Sequence, residues 1–273
     1  MSVRYAARSR PATMVSTWLN SLVSGTVITE GGYFGGGSTS GGRATTVDRF
    51  TFPGDGRSTL GTGLSAGTEG LAGMANSGTA GYFGGGWAGS RVTTVDKFAF
   101  PGDGRSTLST GLTAGVSNNA AMANSGTAGY VGGGYTGSAR VTTVDKFAFS
   151  DDGRTTLGTG LSAATNQLAA MANSGTAGYF GGGSTGSRLT TVDKFAFSDD
   201  SRSTLGTGLS AATEDLAAFA QSGTAGYFGG GTTGSIVTTV DKFAFSDDGR
   251  TTLGTGLSAA NENLAAMADS GTL

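Results

Sequence analysis

Cysteine and histidine are both missing from this sequence of 273 residues. Without cysteine, a chain can form no disulfide framework, no thiolate metal site and no thiol nucleophile. Without histidine, it lacks the commonest general base and the usual ligands of zinc, copper and iron sites. These absences exclude Ser-His and Cys-His catalytic pairs and histidine-ligated copper centres. We therefore expect no metal, no cofactor and no enzymatic activity.

Clustered charge and long apolar runs are also missing. The 17 Lys and Arg residues against 19 Asp and Glu residues give a formal net charge of −2. The basic residues are dispersed along the chain, whereas a nucleic-acid groove needs a basic stripe. No stretch approaches the ~20 apolar residues that cross a membrane. Neither a nucleic-acid partner nor a membrane span is therefore expected.

Glycine is abundant instead, with 52 residues that recur at fixed places in a unit present five times. The unit is marked by a G-Y-F-G-G-G core and a V-D-K-F segment, and successive copies are 48 or 49 residues apart. A period of this length indicates a solenoid, a propeller or an array. The marker residues are Tyr33, Tyr82, Tyr130, Tyr179 and Tyr227 in the core, and Asp48, Asp96, Asp145, Asp193 and Asp241 in the second segment.

Four short strands can be assigned within each unit: L-A-A-M-A-N, A-G-Y-F-G-G-G, T-T-V-D-K-F-A-F and T-T-L-G-T-G-L. Their β-branched and aromatic content favours strands, and the glycines permit tight turns. In the S-D-D-G-R and P-G-D-G-R turns we expect Asp to accept backbone N–H bonds and Gly to supply the positive φ. Five such units predict an all-β, five-bladed β-propeller of four-stranded blades over residues 26–273.

The two ends of the repeat predict how the ring closes. Residues 264–273 repeat only the first strand of the unit, while the first copy enters near its second strand. We expect the C-terminal strand to complete blade 1 and to close the ring, which leaves no free sheet edge.

Residues 1–25 precede the repeat and form a separate N-terminal arm. A short amphipathic helix is predicted from near Pro11 to Gly25. The helix either packs against the propeller or anchors the chain to a partner or to copies of itself. Its apolar face is formed by Met14, Val15, Trp18, Leu19, Leu22 and Val23.

With its glycine triplet, polar loop and aromatic strand, the unit resembles the Kelch-type repeat. The resemblance covers residues 26–273 and departs at the fourth strand, where Kelch repeats usually carry Trp. The T-T-V-D-K-F-A-F variant also resembles glycine-rich Kelch-like virion proteins of tailed phages. Kelch-type propellers are mostly interaction modules, and the phage group implies a capsid appendage, a tail fibre or a tail-associated protein. The residues at the departing position are Leu108, Leu157, Leu205 and Leu253.

Acidic residues precede several of the first strands and could serve as paired carboxylates for glycan hydrolysis. Their recurrence at equivalent loops favours a solvated surface instead. No spaced D-x-D-x-D-G calcium loop is present. The Asp and Lys of V-D-K-F predict ion pairs on the surface or between blades. The acidic residues before first strands are Glu69, Glu214, Asp215 and Glu262.

The copies differ from one another mainly in two loops, one after the glycine triplet and one before the first strand. In an up-and-down blade both loops emerge on the same face of the disc, so this variable face collects the blade-specific side chains. Flat aromatic and amide groups suit a sugar or a protein surface. The candidate ligand-binding residues are Trp87, Tyr135, Asn118, Asn119, Asn166, Gln167, Glu214, Asp215, Asn261 and Asn263.

The sequence thus favours a non-enzymatic virion protein in an extracellular particle. It would contact other virion proteins through residues 11–25, would present the variable face to a host-surface glycan or a protein, and could form a homo-oligomer. The alternatives are a propeller glycan hydrolase and an intracellular protein-interaction scaffold.

Overall fold

The computed structural model describes residues 31–266. The predicted N-terminal helix and its apolar anchor residues lie outside this range. So does most of the predicted closing strand, whose residues 267–273 are not described. Closure by that strand therefore stays a prediction.

The described part is all-β, with twenty-one strands and no helix. Blade 1 contains β1 (Gly31–Gly35), β4 (Val47–Thr51) and β5 (Arg57–Thr59), with a small hairpin of β2 (Ser38–Thr39) and β3 (Gly42–Arg43). Blade 2 contains β6 (Ala72–Asn76), β7 (Ala80–Gly84), β8 (Val95–Ala99) and β9 (Gly104–Thr107). Blade 3 contains β10 (Ala120–Asn124), β11 (Ala128–Gly132), β12 (Val144–Ala148) and β13 (Arg154–Thr156). Blade 4 contains β14 (Ala169–Asn173), β15 (Ala177–Gly181), β16 (Val192–Ala196) and β17 (Arg202–Thr204). Blade 5 contains β18 (Ala217–Gln221), β19 (Ala225–Gly229), β20 (Val240–Ala244) and β21 (Arg250–Thr252).

The strands of each blade pair antiparallel in chain order, which is the up-and-down topology of a propeller blade. The five blades follow one another in a ring, so the predicted all-β, five-bladed propeller is confirmed. Within the described residues blade 1 shows three of its strands, and blades 2 to 5 show four each. No described helix is long and apolar enough to cross a membrane.

The hydrophobic core lies between successive blades. One cluster, for example, joins Tyr82 and Val95 of blade 2 to Val131 and Phe147 of blade 3. A blade therefore needs a neighbour to bury its faces, as expected of a repeat architecture. We call the interface between two successive blades a junction.

Glycine in the second strand of a blade permits the close approach of the preceding blade. A Cβ added at Gly178 would overlap the sulfur of Met122, which reaches across from blade 3. Gly129 faces Met74 and Gly226 faces Met171 in the same way. These strand glycines are therefore required by packing between sheets, and not by a turn.

The turns between third and fourth strands differ from the prediction in one respect. The residue with positive φ is the second aspartate, at +59° in Asp152 and +58° in Asp200, and Gly153 does not adopt this conformation. Asp151 accepts a hydrogen bond from the backbone N–H of Gly153, as predicted, at 2.9 Å. The expectation that glycine supplies the positive φ was wrong, because the aspartate there gains contacts to the preceding blade.

Those contacts recur at every described junction. Tyr82 stacks on Phe149 of blade 3 with ring centroids 5.4 Å apart, and its hydroxyl donates to Asp152 at 2.8 Å. Lys97 Nζ lies 2.6 Å from the other oxygen of Asp152. The V-D-K-F lysines therefore form ion pairs between blades, as predicted, and these pairs are largely shielded from solvent. The equivalent Tyr–Phe–Asp sets are Tyr33, Phe100 and Asp103; Tyr130, Phe197 and Asp200; and Tyr179, Phe245 and Asp248.

Candidate functional site

Backbone bridges hold the two variable loops side by side. Trp87, which follows the glycine triplet of blade 2, pairs with Glu69 of the preceding loop, and Tyr135 pairs with Ser117. The same bridge joins Ser184 to Asn166 and Thr232 to Glu214. The two variable loops, which were predicted to share a face, are therefore adjacent in blades 2 to 5.

Trp87 and Tyr135 are brought together by arginines that the sequence analysis did not single out. The Arg43 guanidinium carbon lies 3.8 Å from the Trp87 ring centroid. That of Arg91 lies 5.9 Å from the Trp87 centroid and 4.9 Å from the Tyr135 centroid. Arg43, Trp87, Arg91 and Tyr135 thus form a row, which we call the Arg–aromatic row, along which cations and rings alternate across three blades.

The two arginines of the row differ in whether a carboxylate balances their charge. Arg43 Nε lies 3.2 Å from a carboxylate oxygen of Glu69. Arg91 has no carboxylate partner among the described residues, and its buried Nε has no hydrogen-bond partner there. The Tyr135 hydroxyl donates to the carbonyl of Gly137 at 2.8 Å. Arg91 is therefore the arginine of the row whose charge is not matched by a carboxylate among the described residues.

Arginine occurs at the equivalent position of blades 3 and 4, but there its guanidinium lies over no aromatic ring among the described residues. Arg140 Nε donates to Asn166 Oδ1 at 2.8 Å, and Arg188 Nε lies 3.0 Å from a Glu214 oxygen. Blade 5 has Ile236 instead, with 47% of its surface exposed. The sequence signal was an arginine four residues before the valine of T-T-V in four copies. It was missed because isolated surface arginines are common.

A second line of predicted residues crosses the blades beside this row. The backbone N–H of Asn118 donates to Gly70, that of Gln167 to Asn118, and that of Asp215 to Gln167, at 2.8, 2.9 and 3.0 Å. Asn263 continues the line with a 2.9 Å bond to Asp215. Each of these polar residues has a positive φ, a conformation that Asn and Asp tolerate better than most residues. These four residues therefore link successive blades through a ladder of backbone hydrogen bonds.

The remaining candidates have varied surroundings. Asn119 and Asn166 are buried, and the Asn119 amide donates to the Gly84 carbonyl at 3.3 Å. Asn261 is exposed and bonds to Ala259 in its own loop at 3.2 Å. The structure therefore groups Trp87 and Tyr135 at one place on the face and distributes the amides around it.

Two of the candidate carboxylates, Asp215 and Glu214, have defined electrostatic surroundings. Burial raises the pKa of Asp215, the hydrogen bond from Gln167 opposes this rise, and the nearby charges of Glu214 and Glu262 add to it. Glu214 is engaged by Arg188. Within residues 31–266 no cluster of three or more metal-ligating side chains occurs. Narrow gaps lie in the blade junctions there, one of them lined by Leu161, Leu168 and Phe180.

No protein family matches the sequence, and no curated protein is significantly similar to it.

Proposed function

We propose that the chain is a non-enzymatic, Kelch-like binding protein that presents its variable face to an acidic group on a host-surface glycan or on a neighbouring protein. The observation that carries the proposal is the Arg–aromatic row. Two aromatic rings at blade-specific positions lie, half-buried, beside two arginines of the repeat, and one of these arginines has no carboxylate partner among the described residues. Such a surface suits a ligand that offers an apolar ring or chain beside a carboxylate or sulfate.

The repeat itself supports the assignment of the row to binding and not to scaffolding. Residues that hold junctions together recur from blade to blade, as Tyr82, Tyr130 and Tyr179 do. Trp87 and Tyr135, in contrast, are replaced by serine or threonine in blades 4 and 5, which fold with the same strand pairing. The fold does not require aromatic rings at this position.

The test is a glycan array of neutral, sialylated and sulfated oligosaccharides probed with the intact chain. Selective binding to acidic glycans is expected, with loss in Trp87→Ala, Tyr135→Ala and Arg91→Gln. Arg188→Gln is the matched control, because it changes the same repeat position where the bridged residue is Ser184 and the equivalent residue of the next blade is Thr232. Binding that is equally weakened by Arg188→Gln, or unaffected by all three variants of the row, would contradict the proposed site.

We propose further that the protein is a virion component of a tailed phage, either an appendage or a tail-associated protein, located in the extracellular particle. The resemblance of the repeat to the Kelch-like virion group supports this proposal. Residues 11–25 would contact other virion proteins. Neighbouring genes for capsid or tail proteins, and loss of particle incorporation in a chain starting at Gly25, are the expected results. Neighbouring genes of cellular signalling or metabolism would favour the intracellular scaffold.

A glycan hydrolase is the competing proposal, favoured by one observation, the raised pKa of Asp215 beside Glu214 and Glu262. It requires turnover of an oligosaccharide that is lost in the double variant Glu214→Gln and Asp215→Asn. We expect no turnover, because neither Glu214 nor Asp215 lines the gaps found in the blade junctions of the described residues.

A further inference from the structure

The arginines of the Arg–aromatic row occupy a repeat position that faces a second repeat position across the junction. We call the first the arginine position, and the second, which lies 26 residues further along the chain, the acceptor position. In chain order the arginine position holds Arg43, Arg91, Arg140, Arg188 and Ile236, and the acceptor position holds Glu69, Ser117, Asn166, Glu214 and Glu262.

Three of these pairs bring a planar oxygen acceptor to the arginine Nε. Arg43 Nε lies 3.2 Å from a Glu69 carboxylate oxygen. Arg140 Nε donates to Asn166 Oδ1 at 2.8 Å. Arg188 Nε lies 3.0 Å from a Glu214 carboxylate oxygen. The repeat therefore specifies an acceptor for the arginine, and at two junctions that acceptor is a carboxylate.

The pair of Arg91 and Ser117 departs from this pattern, because a serine side chain ends at its hydroxyl and provides no carboxylate or amide. The buried Nε of Arg91 has no hydrogen-bond partner among the described residues. Every other described arginine whose buried Nε lacks such a partner forms an ion pair, and Arg91 forms none there. Those other arginines are Arg49, Arg105, Arg154, Arg188, Arg202 and Arg250.

The preceding repeat shows that one arginine can hold an aromatic ring and a carboxylate together. The Arg43 guanidinium carbon lies 3.8 Å from the Trp87 ring centroid while Arg43 Nε is paired with Glu69. Arg91 repeats the ring contact, with its guanidinium carbon 4.9 Å from the Tyr135 centroid. The Tyr135 ring therefore corresponds to the Trp87 ring, and it does not stand in for the carboxylate.

The groups around Arg91 are neutral and polar. Asn118, which follows Ser117, is exposed, and so is Ser138 in the loop of Tyr135. The large exposed hydrophobic residues of the described part, Phe34, Phe52 and Ile236, lie in blades 1 and 5 instead. Because the centre of a protein–protein interface is apolar, these surroundings favour a sugar over a protein surface.

We propose that Arg91 binds the carboxylate of an acidic sugar, a uronic or a sialic acid, which takes the part that Glu69 and Glu214 play at the equivalent arginines. The inference rests on the proposed function and narrows its ligand from an acidic group to a carboxylate. A planar carboxylate can accept two parallel N–H bonds from a guanidinium. A tetrahedral sulfate is expected to bind less tightly, because the acceptors of the three existing pairs are planar.

The first test titrates the intact chain with glucuronate and with N-acetylneuraminate, followed by NMR. Their methyl esters are the matched controls, because they keep the sugar ring and lose the charge. At least one acid should bind at least about tenfold more tightly than its ester, as expected for a charged hydrogen bond. Esters that bind as tightly as the acids would overturn the proposal, as would the absence of binding by either acid. Equally tight binding of glucose 6-sulfate would overturn the choice of a carboxylate.

Exchanging residues at the acceptor position tests the site itself. Ser117→Glu supplies the carboxylate from within the chain and should weaken binding of the sugar acid by at least about tenfold. Asn166→Glu is the matched control, since it adds the same charge at the same repeat position beside Arg140, and it should leave the affinity nearly unchanged. The reciprocal variant Glu69→Ser should create a second site at Arg43.

Arg91→Gln adds no charge and should also weaken binding, so it decides the question if Ser117→Glu does not fold. A folded Ser117→Glu variant that binds like the parent would overturn the proposal, and so would a Glu69→Ser variant without a second site. If Trp87→Ala abolishes glycan binding while Ser117→Glu does not, the proposed function stands and the carboxylate site is wrong. If sugar acids bind at Arg91 but no glycan on the array is bound, the carboxylate site stands and the proposed function fails.

Discussion

At the scale of the residue, each junction between described blades is held by a buried aspartate that accepts hydrogen bonds from the preceding blade. Asp193 accepts hydrogen bonds from the Ser162 N–H at 2.7 Å, from its hydroxyl at 2.8 Å, and from the Thr204 hydroxyl at 2.6 Å. Asp193→Ala would leave these donors and the nearby Arg202 without their acceptor. We expect a loss of about 3 kcal/mol in the free energy of unfolding, measured by urea denaturation.

Asp48 provides the matched control, because it occupies the same repeat position in blade 1, where its side chain is 34% exposed. It retains Thr59 and Arg57 of its own blade but lacks a donor from a preceding blade. Asp48→Ala is expected to cost much less than Asp193→Ala when the protein is dilute. Equal losses for the two variants would show that Asp48 is buried in solution in an intramolecular junction.

The junction tyrosines predict how stability depends on pH. Burial, assisted by the hydrogen bond to Asp152, raises the pKa of Tyr82 to about 12. Burial and an aspartate likewise raise the pKa of Tyr33, Tyr130 and Tyr179. An unfolded tyrosine loses its proton near pH 10. Above that pH the unfolded chain binds fewer protons than the folded chain, so stability falls as pH rises further.

The expected measurement is a urea midpoint that declines between about pH 10 and pH 12. Tyr82→Phe removes one titrating group and should make this decline shallower. It should also cost about 2 kcal/mol near neutral pH, because Asp152 loses a donor. Burial lowers the pKa of Lys97, but its hydrogen bonds to Asp152 and Tyr82 raise it overall, so this lysine acts in the same direction. A midpoint unchanged up to pH 12 would contradict the assignment.

Glycine spacing controls packing at the scale of the strand. Gly178 lies in β15, where the sulfur of Met122 occupies the space of a Cβ. Gly178→Ala is expected to destabilise the protein by about 1 to 3 kcal/mol, because the blades must separate or Met122 must leave its rotamer. Calorimetry should show a lower Tm.

Two further variants test whether the clash with Met122 causes the loss of stability in Gly178→Ala. Gly158→Ala is the control, since nothing lies within 4 Å of its added Cβ, and it should leave Tm nearly unchanged. If the clash is the cause, Gly178→Ala should lower Tm less in a Met122→Ala background than in the parent. A Gly178→Ala variant as stable as the parent would show that the blades are less closely packed than the structure indicates.

The strands were predictable from the sequence, and the contacts between them less so. Strand alternation and turn residues are local, so the repeat unit predicted four strands at nearly their observed places. The stack of Arg91 between Trp87 and Tyr135 joins two blades, and it depends on the rotation from one blade to the next. A short sequence pattern within one repeat does not determine that rotation. The positive φ of Asp152 was mispredicted for the same reason, because its partner Tyr82 lies 70 residues away.

Whether blade 5 packs against blade 1 depends on the arrangement of the whole molecule. Identical repeats specify identical junctions, and small differences in the rotation per blade decide whether the last face meets the first. Five similar copies in a sequence are compatible with either result. The exposed Phe34, Phe52 and Asp48 therefore supply information that the repeat pattern could not.

Hydrogen exchange measures the local stability of each blade and so tests whether blades 1 and 5 are covered. Blades 3 and 4 each have two described junctions, while blades 1 and 5 have one each, so local opening should cost least at the terminal blades. In dilute protein we expect backbone amides of β4 and β20 to exchange faster than those of β12 and β16. Because the difference arises within one chain, raising the protein concentration should leave it unchanged. Uniform protection of all five blades would instead require blade 5 to close onto blade 1 of the same chain.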